Sequence, residues 1–175
     1  MDIQTYKKKC IIVGDMAVGK TSLIGCFVDQ KFPKDYLPTI GANIYMKMVQ
    51  LTGDTIIKLS CWDIAGDDKF KMMRKQYYKS AMGAFLVADV TRHETLSSLK
   101  EYWLDEVKEF CDDVPLILLV NKDDLDNDVR DGEIESLRGE IGAIKAYRTS
   151  AKSGKNVDDA FMVMVRSMME SSSSQ

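Results

Sequence analysis

The feature that most constrains the fold is an apolar run that passes directly into a glycine-rich turn. Residues 9–14, KCIIVG, have the length and composition of a buried strand, and a helix is predicted over 20–29. The sequence between them, GDMAVGKT at 14–21, has the spacing Gly-x4-Gly-Lys-Thr. This is the P-loop pattern in the context that it requires, after a strand and at the start of a helix. It predicts an α/β domain.

The P-loop composition is suited to binding a polyphosphate. Its glycines let backbone N–H groups turn inward, and the N-terminus of the following helix adds positive potential. Lys20 can reach the β- and γ-phosphates, and the hydroxyl of Thr21 can bind Mg²⁺. An incidental glycine turn is the alternative, and the strand–helix context counts against it. The residues predicted to contact nucleotide here are Asp15, Met16, Ala17, Val18, Gly19, Lys20, Thr21 and Ser22.

Further short apolar runs alternate with segments of helical character. Residues 83–90 and 115–120 are almost continuously apolar, which favours strands buried on both faces of a parallel sheet. Residues 42–51 alternate in polarity instead, and a TGDT turn joins them to the next strand as a hairpin. The predicted strands are 9–14, 42–51, 55–62, 83–90, 115–120 and 146–150, and the predicted helices are 20–29, 69–79, 94–110, 132–141 and 156–170.

These elements predict a single P-loop NTPase domain over residues 1–170. Its fold class is α/β, with a six-stranded, mostly parallel sheet, one antiparallel edge hairpin and helices on both faces. The length of 175 residues suits one such domain and not two. We expect the lysines at 7–9 to be a solvated lead-in to the first strand and 171–175, SSSSQ, to be a disordered serine-rich tail.

Composition excludes some classes of function. The net charge of −3 argues against a nucleic-acid binder, and no apolar run reaches the length of a membrane span. No two of the four cysteines have CxxC spacing, so neither a zinc knuckle nor a redox motif is encoded. Cys10 and Cys61 fall in strand-like runs and are expected in the core of a reduced, cytoplasmic protein. The apolar stripes of the helices at 94–110 and 156–170 are expected to pack on the core.

The sequence NKDD at 121–124 follows a buried strand and indicates which base is bound. The Asp124 carboxylate offers two acceptors that match the N1–H and 2-amino donors of guanine. Adenine has an acceptor at N1 and no donor at position 2, so it would leave this carboxylate unpaired. Asn121 can tie neighbouring loops together, and the stem of Lys122 can cover the base. The sequence therefore predicts a guanine site.

The sequence TSAKS at 149–153 follows the last predicted strand and is expected to complete the base site. The Ala151 N–H is predicted to donate to the guanine O6, while Ser150 braces the loop and Lys152 lies beside the nucleotide. A polar turn such as NKDD is weak evidence by itself. Its position between a P-loop and TSAKS makes it specific.

With PTIG at 38–41 and WDIAG at 62–66, five motifs stand in one order, and the chain resembles the Ras-like small GTPases. The resemblance covers about residues 7–169 and is greatest for the Rab branch, through VGDMAVGKTSL, CWDIAGDDKF, two adjacent tyrosines and ADVT. Ile44 stands where Rab-like sequences have an aromatic residue. The resemblance implies a molecular switch that binds GTP and GDP with Mg²⁺ and hydrolyses GTP.

The same resemblance implies roles for single residues. Thr39 resembles the threonine that senses the γ-phosphate through Mg²⁺, and Asp63 resembles the acid that holds Mg²⁺ through water. The implied metal site is Thr21, Thr39 and Asp63, and the implied catalytic residues are Lys20, Thr39, Gly66 and Asp67. Phe32 is expected to pack on the guanine, with Tyr36 also at the nucleotide, and the Gly66 N–H to contact the γ-phosphate.

The resemblance also implies partners. An exchange factor, a GTPase-activating protein and effectors are expected at a switch surface formed by 32–42 and 64–78, which γ-phosphate orders and hydrolysis releases. Trp62 and Tyr77 are candidate readout residues. The last cysteine is Cys111, so contact with cytosolic membrane faces is expected only through a tail that this chain does not contain.

Two residues depart from the family pattern. Asp67 stands where these GTPases usually have glutamine, whose amide can accept from the attacking water and donate at the same time. An ionised carboxylate cannot donate, and it adds negative charge near the γ-phosphate. Met16 stands where a small residue is usual and is expected to crowd the same space. Both predict slow GTP hydrolysis. The alternative is that Asp67 is a general base with a raised pKa.

Two other functions remain open at this stage. The first is a GTP-loaded binding platform that barely hydrolyses, which Met16 and Asp67 favour. The second is a P-loop kinase for a small metabolite, against which NKDD and TSAKS count.

Overall fold

The computed structural model describes residues 2–172 and contains a single six-stranded sheet within them. Its strand order is β2-β3-β1-β4-β5-β6. Only β2 is antiparallel to its neighbour, β3; the remaining pairs are parallel. The strands are β1 (Gln4–Val13), β2 (Ala42–Gln50), β3 (Thr55–Ile64), β4 (Gly83–Asp89), β5 (Leu116–Asn121) and β6 (Lys145–Arg148). The predicted mostly parallel sheet with one antiparallel edge hairpin is confirmed.

Helices cover both faces of this sheet. The α-helices are α1 (Lys20–Asp29), α2 (Lys71–Tyr78), α3 (His93–Ser98), α4 (Leu104–Phe110), α5 (Asp131–Ile141) and α6 (Val157–Ser172). A 3-10 turn, Asp68–Phe70, precedes α2. One apolar core lies beneath α1 and α6, and a second lies beneath α2 and the helices from α3 to α5. The two cores follow from the strands β4 and β5, which are buried along their whole length.

The segment between α3 and α4, Leu99–Trp103, is a π-helical stretch inside one continuous rod. Its wider turn changes which side chains face the core, a distortion that is frequent at functional sites. Leu99, Trp103 and Val107 are buried, and Leu96 and Phe110 pack at the edge of the core. In α6 the corresponding stripe is buried too. Core packing of both stripes, as predicted, is confirmed.

The lysines at 7–9 lie inside a strand and not before it, so the predicted lead-in is wrong; Lys7 is exposed as expected, but Lys8 and Lys9 are not. Strand β1 begins at Gln4 because its N-terminal half pairs with β3. Lys8 is only 6% exposed, and its Nζ donates to the carbonyl of Met168 at 3.1 Å. The Lys9 ammonium lies 3.8 Å from the ring centre of Trp62. These long side chains bury their stems while their amines find partners.

At the other end of the chain, α6 continues to Ser172, two residues into the segment expected to be a disordered tail. Residues 173–175 lie outside the described part, so the tail prediction is not tested there. Cys10 and Cys61 are buried as expected, with their sulfurs 3.6 Å apart and both thiols free. Among the described residues, no helix combines the length and apolar character needed to cross a membrane.

The carboxyl ends of β1, β3, β4 and β5 meet at one edge of the sheet. Parallel pairing sets Val13 beside Leu86 and Asp89 beside Asn121. The loops that follow these strands therefore converge above that edge, which is where ligands bind in open α/β sheets.

Candidate nucleotide and metal site

A cavity of about 510 Å³ opens at this edge between three segments of the chain. They are the P-loop, the irregular loop before β2 and the turn after β3, and Lys122 closes one end. The lining residues are Met16, Ala17, Gly19, Lys20, Thr21, Ser22, residues 32–40, Gly66, Asp67, Lys69, Phe70 and Lys122. Most of the predicted P-loop and switch residues therefore surround one space of nucleotide-binding size.

Lys20 is folded back into the P-loop. Its Nζ donates to the carbonyl oxygens of Gly14 and Asp15, both at 2.8 Å. Burial lowers the pKa of Lys20 to about 8, although the carboxylates of Asp63 and Asp15 act in the opposite direction. A buried ammonium with only carbonyl partners is suited to meet an anion in this cradle.

The backbone explains why glycine is required at positions 19 and 66. Gly19 has a φ of 102°, and a Cβ there would lie 2.2 Å from Nδ2 of Asn121. A Cβ on Gly66 would lie 2.6 Å from the carbonyl oxygen of Gly14 and 2.7 Å from the nitrogen of Met16. The loop after β3 therefore rests on the P-loop backbone, and larger residues at either position would separate the segments.

Three oxygen-bearing side chains meet beside the P-loop. Oδ2 of Asp63 accepts from the hydroxyl of Thr21 at 2.5 Å and from that of Thr39 at 3.2 Å. The two hydroxyl oxygens are 3.0 Å apart. Burial raises the pKa of Asp63, against the effect of these hydrogen bonds and of Lys20.

This donor set fits a magnesium ion. Hydroxyl and carboxylate oxygens are the ligands that Mg²⁺ uses. The second carboxylate oxygen of Asp63, Oδ1, is buried and has no hydrogen-bond partner among the described residues. Such an unpaired anionic oxygen is costly unless a cation or its water meets it. The three residues predicted as the metal site are thus brought together, although Asp63 is the one carboxylate among them.

The base side is held by Asn121. Its Nδ2 donates to the Val18 carbonyl at 3.0 Å, and its Oδ1 accepts from the Thr149 hydroxyl at 3.1 Å and from the Ala151 N–H at 3.3 Å. The predicted tie between neighbouring loops is therefore present. The Ala151 N–H makes a long hydrogen bond to this asparagine, and its donation to the guanine O6 stays a prediction.

Lys122 links three elements at the end of the cavity. It has a left-handed backbone, with a φ of 68°, and its Nζ contacts the Ala17 carbonyl and Oδ2 of Asp89, both at 2.7 Å. Asp124 is exposed, and its Oδ1 accepts from the Ser150 hydroxyl at 2.6 Å. One acceptor of the predicted base-reading carboxylate therefore braces the loop, and the other accepts no such bond from the residues that the structure describes.

Some predicted residues do not line the cavity. The side chain of Asp15 turns away and accepts from the indole N–H of Trp103 at 2.7 Å, and Val18 is in the core. Their contribution to a ligand is limited to the backbone. The other predicted residues outside the cavity lining are Asp63, Asn121, Asp124, Ser150, Ala151 and Lys152.

The aromatic residues of segment 32–42, the first switch segment, are exposed; segment 64–78 is the second switch segment. Phe32 and Tyr36 line the cavity and retain 49% and 62% of their accessible surface. Trp62 and Tyr77 are half-buried, with ring centres 6.2 Å apart. Tyr77 lies within segment 64–78, and Trp62 lies two positions before the first residue of that segment.

Asp67 has a local role that the sequence did not suggest. Its Oδ1 accepts from the Lys69 N–H at 3.0 Å, so that it is the N-cap of the 3-10 turn. This backbone hydrogen bond is the main cause of a lowered pKa for Asp67. The hypothesis of a general base requires a raised pKa, and this capping hydrogen bond acts in the opposite direction. Met16, half exposed, lines the same part of the cavity.

The structure also adds residues that our sequence analysis missed. Asp89 ends strand β4 beside Lys122, and Arg92 donates to the Met16 carbonyl at 3.0 Å. An acid at a buried strand end is a signal that could have revealed Asp89. Trp103, Arg74 and Glu106 lie in helices, and their contacts join residues that are far apart in the sequence, so no local motif reveals them.

Comparison with known proteins agrees with this geometry. The family model described as "Ras family" matches residues 9–170. The chain belongs to the Ras family. It is 36% identical to the "GTP-binding protein YPT1" of Saccharomyces cerevisiae over 172 residues, which are 97% of this chain and 82% of that protein.

Two plant proteins show the same degree of likeness. The "Ras-related protein RABA6a" of Arabidopsis thaliana is 36% identical over 92% of this chain and 72% of its own length. The "GTP-binding protein YPTM2" of Zea mays is 36% identical over 97% of this chain and 84% of its own length. This small GTPase is thus a GTP-binding switch protein of the Rab branch.

Proposed function

We propose that this small GTPase cycles between GTP and GDP with Mg²⁺, that its intrinsic hydrolysis is slow, and that it regulates membrane traffic as a Rab-like switch. The observation that carries the proposal is that Lys20, Thr21 and Thr39 line one cavity and that the buried Asp63 accepts hydrogen bonds from both threonines behind it. The relatives that are named as Rab and GTP-binding proteins support the cellular role.

Different residues of the site bind the phosphates, the metal and the base. Lys20 exchanges its two carbonyl partners for phosphate oxygens, and the backbone N–H groups of residues 15–20 surround the phosphates. Thr21, Thr39 and Asp63 would hold Mg²⁺, and a bound Mg²⁺ would supply positive charge beside the β- and γ-phosphates. The Gly66 N–H donates to the γ-phosphate. Asn121, Lys122 and Asp124 hold the guanine side, with Ser150, Ala151 and Lys152 beside them.

Slow hydrolysis follows from Asp67 and Met16. The Asp67 carboxylate is already engaged as an N-cap, and with a lowered pKa it stays ionised. It can neither donate to the γ-phosphate nor be brought close to it without charge repulsion. Met16 occupies space at the same wall, where an attacking water or a partner's arginine would have to pass.

Single-turnover hydrolysis tests the catalytic part. GTP-loaded wild type is compared with Asp67→Gln, with Asp68→Asn as a control that removes a neighbouring, exposed acid. We expect Asp67→Gln to be about tenfold faster, because it restores an amide that can both accept and donate. The control should match the wild type. Equal or slower hydrolysis in Asp67→Gln contradicts the proposal.

A GTP-loaded binding platform is the second candidate, and the N-cap role of Asp67 favours it. In that case partners would bind a surface that never relaxes. Turnover measured with and without a cell extract, as a source of activating protein, separates the two. Stimulated turnover supports the switch, whereas turnover that stays negligible in both supports the platform.

We place the partner surface on segments 32–42 and 64–78. Trp62 and Tyr77 form its half-buried centre, and an exchange factor, an activating protein and effectors would bind there. Association with a membrane would be peripheral, on the cytosolic face. Chromatography of the nucleotide released from purified protein is the first test of the proposed guanine-nucleotide binding. We expect guanine nucleotide, and adenine nucleotide would contradict the proposal.

A further inference from the structure

Arg74, in α2, is completely buried, with 0% of its surface exposed. Arginine is seldom buried, since desolvating its charge is costly unless every donor finds a partner. It also lies in the middle of the second switch segment, which is expected to change with the nucleotide. A buried charge in a segment of this kind calls for a reason beyond packing.

Helix α4 supplies the main partner. Arg74 Nε donates to Oε1 of Glu106 at 2.7 Å and Nη2 donates to Oε2 at 3.1 Å, a two-point pairing. Nη2 also donates to the hydroxyl of Tyr102. The guanidinium carbon lies 4.7 Å from the ring centre of Trp103. Planar pairing and stacking together fix the orientation of a guanidinium in a way that lysine cannot reproduce.

The remaining donor of Arg74 reaches the loop after β3. Its Nη1 donates to the carbonyl of Asp67 at 3.1 Å and, more weakly, to that of Ala65 at 3.4 Å. These carbonyls lie on either side of Gly66. Arg74 therefore holds the backbone on both sides of the Gly66 N–H.

The continuous helix formed by α3, the π-helical stretch and α4 also contacts the P-loop. The Trp103 indole donates to Asp15, while its ring supports Arg74. Tyr102 and Trp103, which contact Arg74, both lie in the π-helical stretch. This continuous helix thus sets the position of the P-loop and of the Gly66 loop relative to each other.

We infer that Arg74 is a positioning residue, which places the Gly66 N–H for the γ-phosphate through the Asp67 and Ala65 carbonyls and is itself fixed by Glu106. The inference rests on the proposed function. Gly66 is the expected γ-phosphate contact. Loss of the Arg74 hydrogen bonds to the Asp67 and Ala65 carbonyls should therefore weaken binding of a triphosphate more than binding of a diphosphate. A residue needed only for packing would weaken both to the same degree.

The test compares dissociation constants for GDP and for a non-hydrolysable GTP analogue in the presence of Mg²⁺. The main variant is Arg74→Met with Glu106→Gln, which avoids leaving an unpaired buried carboxylate. Lys8→Met is the matched control, because Lys8 is also buried and donates to a carbonyl far from the site. Arg74→Lys is a milder variant that keeps the charge and gives the same comparison if the double variant does not fold.

We expect the ratio of the analogue constant to the GDP constant to rise about tenfold in the double variant and to rise less in Arg74→Lys. Lys8→Met should leave the ratio within about twofold of wild type. Amide exchange at residues 66–70 in the GDP complex should become faster in the Arg74 variants only.

An unchanged ratio in the folded Arg74 variants, or an equal change in Lys8→Met, would overturn the inference while leaving the proposed function intact. Wild type that fails to bind the analogue at all would overturn the proposed function, and this inference with it. The two failures are therefore distinguishable from the wild-type measurement alone.

Discussion

The base side and the γ-phosphate side of the cavity are built differently. At the base side, the side chains of Asn121 and Lys122 already bind the P-loop carbonyls of Val18 and Ala17. At the γ-phosphate side, residues 32–40 form no helix or strand. Three oxygens there, on Thr21, Thr39 and Asp63, bind one another, although Mg²⁺ would be their expected partner. The base side is tied to the scaffold, whereas on the γ-phosphate side Thr21, Thr39 and Asp63 are held by contacts that a ligand would replace.

This difference matches what a switch requires. The base and the first phosphates are common to GTP and GDP, so their contacts gain from a fixed geometry. A segment that reports the γ-phosphate needs contacts that exist only when that group is present. The exposed Tyr36 and the short list of partners of Thr39 are therefore consistent with a segment of low local stability.

The largest expected effect is on the rigid side. Asp124→Asn keeps the size of the side chain but sets an amide N–H₂ against a guanine donor. We expect GDP affinity to fall by about 100- to 1,000-fold. Affinity for xanthosine diphosphate should rise, because its 2-oxo group accepts from the new amide. Titration with a fluorescent nucleotide measures both.

Asp126→Asn, an exposed acid two residues further along the same loop, is the control and should bind GDP like the wild type. Unchanged GDP affinity in Asp124→Asn would remove the basis for guanine selection. It would also remove one half of the comparison between the two sides.

The next effect concerns the metal. Asp63→Asn removes the buried anionic oxygen that lacks a partner. Because an acid that acts through water typically contributes about 10- to 100-fold to metal affinity, we expect the Mg²⁺ concentration that slows GDP release to rise by that factor. Asp54→Asn, in the exposed β2–β3 turn, is the control. If Asp63→Asn releases GDP with the wild-type Mg²⁺ dependence, these oxygens do not hold the ion.

The smallest effect concerns crowding at the γ-phosphate side. Met16→Ala removes most of a half-exposed side chain from the cavity wall. We expect single-turnover hydrolysis to accelerate about threefold, because water gains access to an attack position. Met48→Ala removes a methionine of similar exposure from β2, away from the cavity, and should have no effect. A rate in Met16→Ala at or below that of wild type would show that crowding is not a limit.

Most of the fold could be predicted from the sequence, for a physical reason. Strands β4 and β5 are buried on both faces and so are continuously apolar, and the hairpin is local in sequence. Strand β1 was predicted too short. Its first half is stabilised by pairing with β3, some fifty residues away, and a lysine-rich sequence does not show such pairing.

The site divides in the same way. Residues that act through one short motif, such as Lys20 and Asn121, were predictable because the motif contains the geometry. The Arg74–Glu106 pair joins residues 32 positions apart, and it depends on a π-helical stretch that has no periodic signature. The sequence shows that Asp67 departs from the family pattern, but it does not show the capping hydrogen bond, which depends on the turn that follows Asp67.

The central claim is that γ-phosphate changes one side of the cavity and not the other. Hydrogen–deuterium exchange of wild type, bound first to GDP and then to a non-hydrolysable GTP analogue with Mg²⁺, tests it most directly. We predict that exchange slows in 32–42 and 64–78 with the analogue, while residues 116–124 and 149–155 exchange alike in both complexes. Equal exchange of the switch segments in the two complexes, or an equal change on both sides, would contradict the account.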